Sequence, residues 1–327
     1  MAKSQEQTKY IGKTPELIPG MKRFTHDAMA TIFEIFIVHE DEKYAGQAAR
    51  AAFAELDRLE MVLSRFEESS EITRINHLPA GQILRLSPDT FECLKISHQM
   101  YEQTNKAFDV TIGPLLDCWR NDDGTTRTPT EEELEQAKQH TGMHLLELDE
   151  SMHAIWLSTS PLLLDLGGIG KGFAVDKMAE SLREWSINIA LISGGFSSIL
   201  ALDAPEGMKG WPLTMSNPNN HKQILVRPFL QNRALAGSGI KKGAHIIDPR
   251  KSQPIEGKLA SWSSAKTAAV ADALSTAFMI MDLNEIKQYC SFHPDEAAMI
   301  IPQQQGDEIQ KENILRFGNW KEIEPAV

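Results

Sequence analysis

Asp272 and Thr276 stand four residues apart in Ala268-Ala269-Val270-Ala271-Asp272-Ala273-Leu274-Ser275-Thr276-Ala277-Phe278-Met279-Ile280-Met281, a stretch so apolar that a helix here must be largely buried. Residues at that spacing share one helix face, so a carboxylate and a hydroxyl are stacked one turn apart. A lone carboxylate on a buried helix is costly unless it is paired or bound to a metal, and an oxygen pair of this kind suits a hard cation such as Mg²⁺. The competing reading makes Asp272 the residue that caps the first turn of the helix.

A second stretch with chemical potential is Pro161-Leu162-Leu163-Leu164-Asp165-Leu166-Gly167-Gly168-Ile169-Gly170-Lys171-Gly172-Phe173-Ala174-Val175-Asp176. Its apolar start predicts a buried strand, and Ala174, Met178, Leu182 and Trp185 then fall at helical spacing, so the glycines are expected at a strand-to-helix turn. Free N–H groups at such a turn, with the positive end of the helix and Lys171 beside them, can bind an anion such as phosphate. The order is neither that of the P-loop nor that of the Rossmann turn, and plain tight packing is the alternative.

The elements that must position these groups alternate between strands and helices. Thr31 to His39 reads as a strand, and Ala52, Leu56, Leu59 and Leu63 form one stripe of a long helix from about Asp41. Ser87 and Pro88 open another helix to about Asn105, with Phe91, Leu94, His98 and Tyr101 on one side. Arg120 to Thr128 reads as a surface loop, and Thr130 with Glu133 makes a capping box for a short acidic helix. His140 and His144 have the spacing of metal ligands, but Gly142 lies between them and no third ligand is near. Ile189 to Ile192 and Ser198 to Leu202 read as strands around Gly194-Gly195. Several strands are not followed by helices, which argues for an α+β fold with mixed sheets and packed helices rather than a doubly wound sheet. The residues after about Ile286 carry no motif and are assigned to packing.

A chain of 327 residues with 42% hydrophobic content can bury a large core. The formal net charge of −12 argues against nucleic-acid binding, which needs basic patches. Cys93, Cys118 and Cys290 are three with no close spacing, which points to neither a disulfide framework nor a zinc site. The first ten residues lack the apolar core of a signal peptide, and no apolar run is long enough for a membrane span, so a cytoplasmic location is expected.

Taken in order, several segments resemble the FAD:protein FMN transferases, the ApbE-type flavin transferases. Met29-Ala30-Thr31 is similar to the family's early Met-Gly-Thr, and Leu63-Ser64-Arg65-Phe66 through Asn76 to its serine-rich stretch. Ala107-Phe108-Asp109-Val110-Thr111-Ile112-Gly113-Pro114-Leu115, the segment from Asp165 to Asp176, Ala234 to Gly239, His245-Ile246-Ile247-Asp248-Pro249-Arg250 and Ala271 to Ala277 continue the match. Four positions depart from it. Phe196-Ser197-Ser198 stands where the family continues with Asp, Lys251-Ser252 replaces Thr-Gly, Phe66 replaces a flavin-contacting tyrosine, and the stretch from Gly239 to His245 is short.

The resemblance implies the ApbE-like fold and one catalytic unit over residues 1–327, with 1–20 as a flexible extension. It also implies Mg²⁺-dependent transfer of FMN from FAD to a Thr or Ser hydroxyl of an acceptor flavoprotein through a phosphoester bond, with release of AMP. It places Mg²⁺ on the Asp272 carboxylate, the Thr276 hydroxyl and the backbone carbonyl of Gly168. Met29, Phe66, Ala107, Phe108, Asp109, Asp165, Lys171 and Ala244 match the family's FAD contacts, Asp109 and Asp165 as acceptors from ribose or adenine donors. His245 is the candidate general base, and its rival role is to orient the His-Ile-Ile-Asp-Pro turn. Two other functions are compatible with these residues: hydrolysis of FAD to FMN and AMP, and FAD binding without turnover.

Overall fold

A computed structural model describes residues 18–121, 123, 125–240, 246–304, 306, 308–320 and 323. Its backbone is an eight-stranded sheet, in spatial order β1 (Met21–Ala28), β2 (Thr31–Val38), β3 (Ala190–Gly194), β4 (Ser198–Ala201), β5 (Arg233–Gly239), β6 (Lys258–Ala265), β7 (Ala297–Pro302) and β8 (Leu315–Gly318). Every neighbouring pair is antiparallel. The near-continuous apolar sequence of β2 follows from burial on both sides: Phe33, Ile35 and Ile37 enter one core and Phe36 the other. Strand β7 divides in the same way, Ala298 and Ile300 to one side and Met299 and Ile301 to the other. The motif-free C-terminal residues therefore complete the sheet and the second core.

The larger core is closed by helices. α1 (Glu42–Leu63) starts at Asp41, whose side chain accepts from Tyr44 N, and buries Ala52, Leu56, Leu59 and Leu63 as their spacing predicts. α2 (Pro88–Gln103) is capped by Ser87 and buries Phe91, Leu94 and Tyr101, leaving His98 half-buried. α3 (Gly170–Glu184) packs on α1, and α4 (Ala268–Ile280) packs on α3 and across β5 and β6. α5 (Leu283–Phe292) follows directly. The other sheet face is covered by the short pairings of Trp211–Pro212 with Phe229–Leu230 and of Met215–Ser216 with Ile224–Val226. The architecture is α+β, as expected. Among the described residues no helix is long and apolar enough to cross a membrane.

One element is corrected. Pro161 to Leu166 is extended but joins no sheet. Its backbone is instead satisfied piecemeal: Leu163 O accepts from Gly113 N at 3.1 Å, Asp165 N donates to Val110 O at 2.7 Å, and the Asn76 side chain takes Leu164 N at 2.8 Å. An apolar run signals burial, and here an amide side chain substitutes for the ladder that a strand would need. The predicted helix does follow, with Ala174, Met178 and Leu182 buried and Trp185 as its C-cap. The capping box at Thr130 and Glu133 forms as expected. His140 and His144 go to separate partners, Thr159 Oγ1 and Tyr101 OH, each at 3.3 Å. All three cysteines are buried and free.

Candidate active site

The polar residues of α4 face two elements, Asp272 towards the start of α3 and Ser275 and Thr276 towards β5. Asp272 is 3% exposed. Its Oδ2 accepts from Gly172 N in the first turn of α3 at 3.0 Å and lies 3.8 Å from Lys171 Nζ. Oδ1 accepts no hydrogen bond among the described residues. One turn later the Thr276 hydroxyl lies 3.3 Å from Ser238 Oγ of β5, which is itself 2.8 Å from Ser275 Oγ. The helix N-cap is Thr267, accepting from Val270 N, so the reading of Asp272 as a cap is overturned.

The glycine loop lies against these two oxygens. A Cβ on Gly168 would stand 3.2 Å from Thr276 Oγ1 and 3.1 Å from the Phe108 ring, which puts this stretch of backbone within reach of the threonine hydroxyl. Lys171 Nζ, poised at the same mouth, donates to Gly167 O at 3.3 Å. Asp165 ties the loop together, its Oδ1 accepting from Gly167 N at 2.7 Å while Oδ2 pairs with Arg65 Nε at 3.4 Å. Asp109 is buried, and its Oδ1 accepts from Thr111 N at 2.8 Å and Thr111 Oγ1 at 2.6 Å. Burial pushes its carboxyl up to about 6 despite those donors.

A cavity of about 800 Å³ gathers Ala107, Phe108, Asp109, Asp165, Gly168, Lys171, Asp272 and Thr276 from three separate segments. It is large enough for a dinucleotide-sized ligand. The cavity also wraps past the ends of β5 and β6 onto the opposite sheet face, where Met215, Leu235 and Trp262 line it. Trp262 reaches the cavity because it pairs across strands with Gly237, where a Cβ would fall 2.7 Å from its indole Nε1.

Two expected contacts lie elsewhere. Met29 is in the tight turn between β1 and β2 at φ 48°, its N–H donating to Glu60 Oε1 at 2.7 Å. Phe66 is 81% exposed beside a shallow depression of about 310 Å³, with the Arg65 guanidinium 4.9 Å from its ring centroid. Neither lines the main cavity. Ala244 and His245 fall outside the described residues, although Ile246, Ile247 and Pro249 of the same motif line the cavity. Residue-level reading missed Ser238, Arg65 and Trp262. Ser238 was visible only as part of the small-residue strand between two motifs.

The donor set fits a hard cation. Among the described residues there is no group of three or more His, Cys, Asp and Glu that could hold a metal. One carboxylate with an unused oxygen, one hydroxyl and a nearby backbone form the sparse oxygen set that Mg²⁺ accepts when phosphate oxygens and water complete its shell.

Comparison with known proteins agrees with this geometry. Proteins from Klebsiella pneumoniae strain 342 and Haemophilus influenzae strain KW20 carry the name FAD:protein FMN transferase. The first is 26% identical over 293 residues, covering 85% of this chain and 83% of its own length. The second is 28% identical over 236 residues, covering 67% and 68%. In fold, the ApbE protein of Thermotoga maritima superposes with a TM-score of 0.81 at 24% identity, covering 94% of this chain and 100% of that one. The flavin transferase ApbE of Vibrio cholerae gives 0.78 at 22% identity, covering 93% and 99%. The family model described as the ApbE family matches residues 29–301, a span that contains every residue of the cavity just described, and the chain belongs to the ApbE family.

Proposed function

We propose that the chain transfers the FMN moiety of FAD to a Thr or Ser hydroxyl of an acceptor flavoprotein and releases AMP. The observation that carries this reading is the convergence of Asp272, Thr276 and the Gly167-to-Lys171 loop on one cavity in a member of the ApbE family. The acceptor oxygen forms a bond to the FMN phosphorus as the bond from that phosphorus to the bridging oxygen breaks, and AMP leaves with the electron pair. Such transfers depend mostly on positioning and charge neutralisation. Asp272, Thr276 and the Gly168 carbonyl would hold Mg²⁺, which supplies neutralisation at the pyrophosphate oxygens.

The remaining roles belong to side chains of the chain itself. Lys171 turns from Gly167 O towards an incoming phosphate oxygen, a movement within reach of its flexible stem. Asp109 and Asp165 receive ribose or adenine donors, and Ala107 and Phe108 supply apolar wall. Met29 and Phe66 extend the FAD contacts beyond the cavity described above, and Ala244 is a further FAD contact. His245 takes the proton of the acceptor hydroxyl. Residues 1–327 act as one catalytic unit.

The test is incubation with FAD and Mg²⁺, with and without an acceptor peptide. AMP formed only with acceptor supports transfer, AMP formed without it identifies an FAD pyrophosphatase, and intact bound FAD identifies a binding protein. General-base catalysis is worth about 10² to 10⁴ in rate, so His245→Ala is expected to slow turnover by that order with FAD affinity little changed. A comparable loss of FAD binding would favour the orienting role of the histidine.

A further inference from the structure

We propose that Asp176 is a positioning residue for the candidate metal site, bracing the first turn of α4 so that Asp272 is presented to the cavity. The inference rests on the metal-holding role of Asp272 proposed above. Asp176 does not line the cavity, so its effect must pass through the helix.

A helix begins with four backbone N–H groups that lack intrahelical partners. In α4 the three N–H groups that precede the helical ladder, those of Ala268, Ala269 and Val270, are all held, and the bond from Ala271 N is the first of the ladder itself. Ala268 N donates to Asp176 Oδ1 at 2.7 Å and Ala269 N to Asp176 Oδ2 at 2.8 Å. Val270 N donates to Thr267 Oγ1 at 3.4 Å, and Ala271 N to Thr267 O at 3.1 Å. The local cap thus makes the long side-chain bond, and a carboxylate from α3 makes the two short ones. α4 has no acid in its own first turn. Asp176 supplies the anion that the positive end of the helix favours.

The brace is reciprocal. Gly172, one turn before Asp176 on α3, donates its N–H to Asp272 Oδ2, and Asp272 lies one turn after Ala268 on α4. Each helix therefore caps the other through a carboxylate, Asp272 four residues and Asp176 six residues after the start of its own helix. Two such bonds at opposite ends of the contact fix the rotation of α4 about its axis as well as its approach. The approach itself requires glycine: a Cβ on Gly172 would stand 2.6 Å from Ala268 C and 2.8 Å from Asp272 Cβ. The arrangement has a cost, since burial pushes the Asp176 carboxyl up to about 7 against the pull of its two N–H donors. Thr267 alone holds Val270 N and would leave Ala268 N and Ala269 N without acceptors. What Thr267 cannot do is fix α4 relative to the loop at Gly168.

Binding of Mn²⁺ in place of Mg²⁺, followed by electron paramagnetic resonance in the presence of FAD, tests the proposal on Asp176→Asn, Asp176→Ala and Asp272→Ala. Partners that orient a metal ligand typically contribute about 10- to 100-fold to affinity. Asp176→Ala is expected to weaken Mn²⁺ binding by about tenfold or more. Asp176→Asn, which keeps one acceptor oxygen, is expected to fall between it and wild type. In an Asp272→Ala background, Asp176→Ala should cost no further metal affinity, whereas a purely structural role would leave its thermal destabilisation without any effect on the metal. Wild-type Mn²⁺ affinity in folded Asp176→Ala overturns the inference. If Asp176→Ala does not fold, wild-type affinity in Asp176→Asn does so instead. Retained Mn²⁺ binding in Asp272→Ala would overturn the metal-site reading, a different failure from loss in Asp272→Ala with none in either Asp176 variant.

Discussion

At the scale of single residues, the site separates groups whose loss removes chemistry from groups whose loss changes stability. Asp272→Ala removes the one carboxylate among the proposed metal ligands from a helix whose first three N–H groups keep their acceptors, so AMP release should vanish while the far-ultraviolet spectrum stays close to wild type and the thermal midpoint falls only by what the loss of the acceptor for Gly172 N costs, about 1–3 kcal/mol. Normal Mg²⁺-dependent turnover in that variant would end the metal assignment. Asp109 behaves differently, because burial holds its carboxyl at about 6 against an ordinary 3.8. The folded state binds this proton more tightly than the unfolded chain does, so the stability it contributes is complete below pH 3.8 and is lost as pH rises through 6. Two pKa units correspond to at most about 3 kcal/mol. Asp109→Asn should remove that slope, and urea midpoints of the ligand-free protein should shift in favour of the variant between pH 4 and 7. A difference between the two proteins that does not vary with pH would contradict this. Asp272 and Thr276 were legible in the sequence because a helical period is local. Ser238 was not, because its hydroxyl meets Ser275 and Thr276 only through packing across 37 and 38 residues.

At the scale of elements, the contact between α3 and α4 is the most demanding. Gly172→Ala must push the helices apart against backbone atoms, and overpacking of this kind costs about 1–3 kcal/mol or more. Gly170→Ala, two residues earlier, meets only Leu166 Cβ at 3.6 Å, an ordinary contact, and should be close to neutral. A calorimetric comparison of the two variants checks this: equal thermal midpoints would mean that α3 and α4 have room to spare. The far end of α4 is held as well, Lys258 Nζ donating to Phe278 O at 2.8 Å and Arg250 pairing with Glu285 of α5 at 2.7 Å. Arg250 also donates to Ile280 O at 3.5 Å, so the segment Ile246 to Arg250 is moored to the end of the helix that carries Asp272. Helix starts at Asp41, Ser87 and Thr130 could be read from the sequence because a cap needs only its own next few residues. The segment Pro161 to Leu166 could not, since whether an apolar run joins a ladder depends on partners that a local pattern does not reveal.

At the scale of the whole molecule, the α+β class was legible from the mixture of periods, and the sheet order was not. Strand β2 pairs with β3, placing Ile35 beside Ile192, and β4 pairs with β5 across the covering segment that supplies Met215 to the cavity. These registers are chosen by burial on both faces, a property of the assembled sheet. The same order governs how the molecule comes into being. A ribosome that has released β1, β2 and α1 has produced a hairpin and a helix whose neighbours have yet to be synthesised, and α3 emerges about a hundred residues before the helix that caps it. Pairings this distant in sequence are slow to find because loop closure precedes any reward. Refolding from denaturant should therefore be slow, on the time scale of non-local sheet pairing rather than of helix formation, which stopped-flow fluorescence checks. The cavity is lined by residues from Ala107 to Ile280, so the candidate site cannot be complete until α4 has been synthesised.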